Sequence, residues 1–264
     1  MMMSMSRLIG TAALAAGLVL TGCGGASPDG RSQFEREGDF AKGRADAPLT
    51  IIEYASTACP ACAYFHAEGK PTMDRYVESG QVRYVFREMI TGLPALATPG
   101  FMLARCAPQE RYFDVLDLLF AQQQALAAAL QQGQGRAQAQ FRTIARTAGL
   151  SDAEFQACMT NNDIYQQVLD ANEQAGRDGV RGTPTFIING LTLETMEHPD
   201  GTLDASRRPA LAFGVNGRAI SDDQGVIAHD YDADTMERII AYFLAREGVT
   251  PETAAPEASD GDAG

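Results

Sequence analysis

Cys59-Pro60-Ala61-Cys62 follows the apolar run Leu49-Thr50-Ile51-Ile52-Glu53-Tyr54 and opens a segment of helical character. A thiol pair at a strand-to-helix junction constrains the fold more than any other feature of this chain. Two cysteines separated by two residues at a helix start can close a small disulfide, while the amides and dipole of the helix N-terminus favour the first sulfur as a thiolate. Cys59 is therefore expected to be the nucleophile, and Cys62 the thiol that resolves it.

The flanking pattern predicts a βαβ unit. Leu49 to Ala55 is β-branched and aromatic enough for a buried strand, Cys59 to about Ser79 reads as a helix that Pro71 kinks or divides, and Gln81 to Arg87 alternates as a second strand. The two strands should run parallel with a right-handed crossover. From about residue 95 to 177 the signal is helical. It includes the apolar spacing of 112–120, a capping box at Ser151-Asp152-Ala153-Glu154, and two helices over 122–140 with a loop at Gly133 and Gly135. Strand character returns at Thr185-Phe186-Ile187-Ile188 before an Asn189-Gly190 turn. Residues 191–220 break every period and are expected to be an irregular insertion. A short strand over 225–228 and a helix over 232–246, with Met236, Ile239, Ile240 and Phe243 on one face, complete the pattern.

The termini read differently. Arg7 precedes an apolar run over 8–20 that is too short for a comfortable membrane span, and Leu20-Thr21-Gly22-Cys23 resembles a bacterial lipobox. Residues 1–22 are thus expected to be a lipoprotein signal peptide, with Cys23 lipidated and the chain anchored to a membrane; an ordinary signal peptide with an incidental cysteine is the alternative. Gly24 after that cysteine resembles an outer-membrane sorting signal in Gram-negative systems. Residues 23–48 are expected to be a flexible tether and 249–264 a disordered acidic tail, which leaves one domain over 49–248. A formal net charge of −13 without a basic cluster argues against nucleic acid as a partner.

With Cys23 set aside, four cysteines remain: Cys59 with Cys62, and Cys106 with Cys158. In an exported chain the second pair is expected to staple two helices, the alternative being two buried thiols. Zinc would need a second cysteine pair or nearby histidines, and neither pattern is present, so no metal and no cofactor is expected. His66, farther along the first helix, is read as a packing or surface residue, because pattern alone supplies no geometry. His198 and His229 support no role.

Far downstream, Gly182-Thr183-Pro184-Thr185-Phe186 places a proline at the start of an apolar strand, where a tight turn can hold a cis bond. Together with the strand–CPAC–helix unit and the helical segment, this order resembles the thioredoxin superfamily, specifically its exported DsbA-like thiol-disulfide oxidoreductases. The resemblance covers about Leu49 to Arg246 and is weakest over 191–220. It implies an α/β thioredoxin fold with a helical insertion at about 95–177, between the N-terminal βαβ unit and the C-terminal strands and helix. It also implies Cys59 as the attacking thiol, Cys62 as the resolving thiol and Pro184 as the cis-proline facing them, with Thr183, Pro60 and Ala61 at the substrate surface. Glu53, six residues before Cys59, matches the buried acid of many such enzymes, which relays the proton of the resolving thiol.

The activity so implied is disulfide exchange with exported client proteins bearing cysteines, recycled by an unidentified redox partner. Ala61 stands where strong oxidants often carry histidine, so the pair should be less oxidising than theirs. Residues 26–48 are too short for an isomerase-type dimerisation domain, which favours a monomeric oxidase over an isomerase. A lipid-anchored binding or copper-handling protein on the same scaffold, with an inert disulfide, is the competing reading. In either case the chain is expected outside the cytoplasm.

Overall fold

The computed structural model describes residues 30–252. The expected signal peptide, Cys23 and residues 253–264 lie outside the described residues. The elements in chain order are strands β1 (Phe40–Lys42) and β2 (Leu49–Ala55), helices α1 (Pro60–Glu68) and α2 (Lys70–Glu78), and β3 (Val82–Glu88). Six helices follow: α3 (Pro94–Cys106), α4 (Tyr112–Ala121), α5 (Gln123–Gln131), α6 (Gln134–Thr147), α7 (Asp152–Met159) and α8 (Asn162–Arg177). The chain then returns through β4 (Thr185–Ile188), β5 (Leu191–Thr192), β6 (Glu194–Glu197), β7 (Leu211–Val215), β8 (Arg218–Ala219), β9 (Ser221–Asp222) and β10 (Gly225–Val226) to α9 (Ala233–Arg246).

The main sheet has the order β1-β3-β2-β4-β5. β2 and β3 pair in parallel, Leu49 opposite Val82 and Ala55 opposite Glu88, while β4 runs antiparallel to β2 with Glu53 opposite Phe186. This is a thioredoxin-type sheet, and the six helices between β3 and β4 are the expected insertion. Every residue of β2 is buried, as a central strand covered on both faces must be. Strand period then sorts the side chains. Leu49, Ile51, Glu53 and Ala55 face α1, α2, α4 and α9, whereas Ile52 and Tyr54 face a smaller cluster with Val85, Ala175 and Val180.

The helix after Cys59 is divided, as Pro71 suggests, but the break itself lies at Gly69. A Cβ there would overlap the Tyr231 carbonyl oxygen, so the close approach of the chain before α9 demands glycine. Ser151 and Glu154 form the expected reciprocal capping box at α7, and Asn189 and Gly190 take positive φ in the hairpin between β4 and β5.

Three expectations are corrected. From residue 30 the supposed tether is part of the fold. β1 forms an edge of the main sheet, with Phe40 opposite Phe86, and Glu35, Asp39 and Arg36 pair with Arg83, Arg87 and Asp178. These contacts join residues remote in sequence, so no local period announces them. At the other end the ordered domain continues past 248: the Gln81 side chain donates to the Thr250 carbonyl and accepts from the Glu252 amide. Residues 191–220 are not irregular. Within them β6, β7 and β8 make a three-stranded antiparallel sheet, whose strands are too short to show alternation and whose β7–β8 turn rests on Asn216-Gly217 at positive φ.

Candidate active site

Cys59 is the N-cap of α1, with extended backbone angles, and Pro60 occupies the first turn. Proline suits that place because its missing N–H would have no helical partner and its φ is already helical. The loop before it is fixed from below. Gln123 of α5 donates to both the Thr57 and Cys59 carbonyl oxygens, at 2.9 and 3.0 Å, and the Ser56 hydroxyl donates to the Thr91 carbonyl at 3.1 Å. Gly92, at positive φ, lets the β3–α3 loop press against Ala58, where a Cβ would come within 2.8 Å of the Ala58 oxygen.

The two thiols differ in surroundings. Cys59 lies at the rim, and its Sγ is 3.2 Å from the Thr183 carbonyl oxygen. A hydrogen bond from Cys62 lowers its pKa. Burial opposes this, and bonds from the Thr183 side chain and the amides of Cys62 and Ala61 add to the lowering, bringing it to about 6. Cys62 is fully buried one turn along α1. Burial, then the bond it gives Cys59 and the charge of Glu53, push its pKa well up. The pair is therefore asymmetric: one thiolate near neutral pH, and one protonated thiol beneath it.

The peptide between Thr183 and Pro184 is cis, and the contact of Cys59 with the Thr183 carbonyl places the turn before β4 beside the thiol. The Thr183 hydroxyl is 2.6 Å from that of Thr91, which ties this loop to the one after β3. Pro60 is exposed and Ala61 half-buried at the same rim. Glu53 is fully buried on the α1 face of β2; the Tyr84 hydroxyl donates to its Oε2, and His66 Nε2 lies 3.2 Å from that oxygen. Cys59, Cys62, Thr183, Pro184, Pro60 and Ala61 are thus drawn to one place, with Glu53 beneath them.

Cys106 and Cys158 form a disulfide between α3 and α7 with a sulfur separation of 2.03 Å, remote from Cys59. His66, expected to be a packing or surface residue, is a buried one: its side chain is only 3% exposed and sits between two carboxylates, with Asp117 on its far side. Thr91, Tyr84, Asp117 and Gln123 were not singled out from sequence. For His66 alone a signal existed, since it lies four residues after Cys62 and so on the same helix face.

A Thioredoxin family model matches residues 35–205. A candidate protein-disulfide oxidoreductase of Rickettsia bellii is 26% identical over 161 residues, covering 60% of this chain and 60% of the relative. Its counterpart in Rickettsia conorii is 29% identical, covering 59% and 54%. The chain therefore spans only a little over half the length of these relatives. Among solved structures, alpha-DsbA1 of Wolbachia pipientis superposes with a TM-score of 0.56 at 19% identity, covering 81% of this chain and 94% of that one. A protein-disulfide isomerase of Novosphingobium aromaticivorans gives 0.53 at 19% identity, covering 64% and 93%. With its sheet order, cis-proline turn and helical insertion, the chain belongs to the thioredoxin family and has the DsbA-like form of its fold.

Proposed function

We propose that this protein is an extracytoplasmic thiol-disulfide oxidoreductase that donates the Cys59–Cys62 disulfide to cysteine pairs of exported proteins, and that it is held at a membrane through lipidated Cys23. The asymmetry of the two thiols carries the reading. A client thiolate attacks Cys59 of the oxidised pair; the Cys59–Cys62 bond breaks, and Cys62 leaves with the electron pair and takes up a proton. A second client thiolate then attacks the client sulfur of the mixed disulfide, and Cys59 leaves as a thiolate that needs no proton near neutral pH. The client is oxidised by two electrons and the pair is reduced. Glu53, buried beneath Cys62, supplies or accepts the Cys62 proton.

The cis turn at Thr183-Pro184, with Pro60 and Ala61 opposite, is the surface an extended client segment meets. The names of the Rickettsia relatives support the same chemistry. No helix among the described residues is long and apolar enough to cross a membrane, and the proposed anchor does not require one. Recycling of the reduced pair falls to a separate redox partner.

Direction follows from thiolate stability. Cys59 at about 6 lies between the values of about 7 and about 3.5 that accompany the reducing and strongly oxidising ends of this chemistry. Ala61 adds no side-chain donor to shift it further. The expected reduction potential is therefore intermediate, between about −270 and about −120 mV. Equilibration of the pair against glutathione tests this. A value in that range supports disulfide donation in an oxidising compartment, one at or below about −270 mV would reverse the direction, and a pair that does not equilibrate would leave an inert binding scaffold.

A further inference from the structure

Glu53 cannot by itself move a proton between Cys62 and solvent, because it is fully buried. One of its oxygens, Oε1, has no hydrogen-bond partner among the described residues. The other meets Tyr84 and His66. The His66 ring continues outward: Nδ1 lies 3.4 Å from Asp117 Oδ1, and the Asp117 side chain is 48% exposed. Glu53, His66 and Asp117 thus form an unbroken line from the floor of the thiol site to water. It ends in a cleft of about 1250 Å³ between α1, α2, α4 and α5, lined by His66, Lys70, Asp74, Asp117 and Phe120.

We infer that His66, with Asp117, is the proton conduit between Glu53 and solvent, and that it opens into this cleft on the flank of the site away from the cis-proline turn. The inference rests on the thiol-exchange reading above. Histidine fits the position, since each ring nitrogen faces one carboxylate and the ring can take a proton at one while releasing another at the other. Phe120 stacks on the ring with centroids 3.8 Å apart and holds it in that plane.

The surroundings keep such a transfer level. From the elements packed around the ring, the titratable groups are Glu53 and Tyr84 of the sheet, Asp117 of α4, Lys70 and Asp74 of α2, Lys42 of β1, and Cys62 of α1 itself. Lys70 lies 3.4 Å from Asp117 and 2.6 Å from Asp74, which Lys42 also approaches to 2.6 Å. Glu53, Asp74 and Asp117 are balanced by Lys42, Lys70 and the imidazolium. Passing a proton from His66 to Glu53 leaves the net charge of this cluster unchanged, so no uncompensated buried charge appears. Burial works against a charged ring, but the charge of Glu53 and the bond to Asp117 outweigh it and raise the His66 pKa.

When Cys62 attacks a Cys59 mixed disulfide, its proton passes to Glu53, directly or through a water. The Cys62 electron pair forms the Cys59–Cys62 bond and the client sulfur leaves with its own pair as a thiolate. The neutral ring, carrying its proton at Nδ1, then takes the Glu53 proton at Nε2, and the imidazolium so formed releases its Nδ1 proton to Asp117 and solvent. In disulfide donation every transfer runs in reverse. His66 touches neither sulfur and acts through Glu53, as a positioning residue.

The test separates the two halves of exchange. The reduced protein is mixed with glutathione disulfide and acid-quenched, and the Cys59 peptide is followed by mass. Formation of the mixed disulfide needs only the Cys59 thiolate, whereas its resolution needs the Cys62 proton to leave. In His66→Ala the first step should stay within about twofold while resolution slows by about tenfold or more. Because the vacated space opens on the cleft, added imidazole should restore resolution, a rescue that a packing role would not give. His66→Gln, which keeps bulk and one hydrogen bond, should fold even where the alanine variant does not, and should be equally slow. Resolution at the native rate in His66→Gln, or slowing in His66→Ala that imidazole leaves untouched, would overturn the conduit. Failure of the native protein to form the mixed disulfide would instead remove the exchange reading on which it stands.

Discussion

Replacing Cys62 tests the origin of the Cys59 thiolate. The hydrogen bond from Cys62 is the largest influence holding the Cys59 pKa at about 6, ahead of Thr183 and the helix amides. A hydrogen bond to an ionised group contributes about 1.5–3 kcal/mol, and about 1.4 kcal/mol corresponds to one pKa unit. Cys62→Ala should therefore move the Cys59 midpoint to about 7–8. At pH 7 the thiolate would fall from about nine-tenths of the population to between about one-half and one-tenth. Cys62→Ser keeps a donor of similar reach and should stay near the native midpoint. The assay is the pH dependence of iodoacetamide alkylation, read at the Cys59 peptide by mass. The midpoint is the measure, not the rate at one pH: a thiolate of higher pKa is intrinsically more nucleophilic, by about 3- to 10-fold over this range, which partly offsets its scarcity. A midpoint that stays near 6 in Cys62→Ala would refute the reasoning and leave the helix N-terminus as the source of the thiolate. Equal rises in the alanine and serine variants would show that the sulfur matters for something other than donating.

Two further outcomes concern stability. The Cys106–Cys158 link joins positions 52 residues apart, and the chain-entropy argument sets its upper worth near 4 kcal/mol. Replacing both residues by serine should lower the urea midpoint by the equivalent of about 2–4 kcal/mol while leaving Cys59 alkylation unchanged; an unaltered midpoint would mean that packing alone holds α3 to α7. Asp178 accepts from Arg36 and Tyr54, each at 2.6 Å, and from Gln174. Burial opposes these bonds, yet they hold its carboxyl at about 2. A depressed carboxyl contributes stability that is present above its unfolded value and lost as pH falls through its folded one, so native stability should drop between about pH 4 and pH 2. Asp178→Asn should flatten that drop and cost at most about 1 kcal/mol at pH 7, because solvent screens the site. Urea midpoints at pH 7, 4 and 2 check it, and an equally steep acid loss in the variant would assign the effect elsewhere.

Local pattern was a good guide where one element carries the signal. The βαβ unit, the two helices around Gly133, the capping box at Ser151 and the helix over 233–246 each declare themselves within a few residues, since period, caps and turn residues act at short range. The edges were less legible. Phe40, Glu35 and Arg36 look like linker residues until Phe86, Arg83 and Asp178 arrive from elsewhere in the chain. The short strands over 194–219 carry too few residues for alternation to emerge.

The same division runs through the site. From sequence alone came the two thiols, the helix start that favours Cys59, the acid at Glu53 and the proline before β4. The thiols and the helix start are properties of residue type and spacing, whereas the roles of Glu53 and of the proline were what the resemblance to the thioredoxin superfamily implied. Only the tertiary structure decided that the Thr183 carbonyl stands beside Cys59, that Gln123 grips the loop below it, and that His66 is enclosed between Glu53 and Asp117. Those relations depend on how strands and helices from distant parts of the chain pack against one another. That packing also sets burial, and burial with its neighbouring charges makes one thiol acidic while the other keeps its proton.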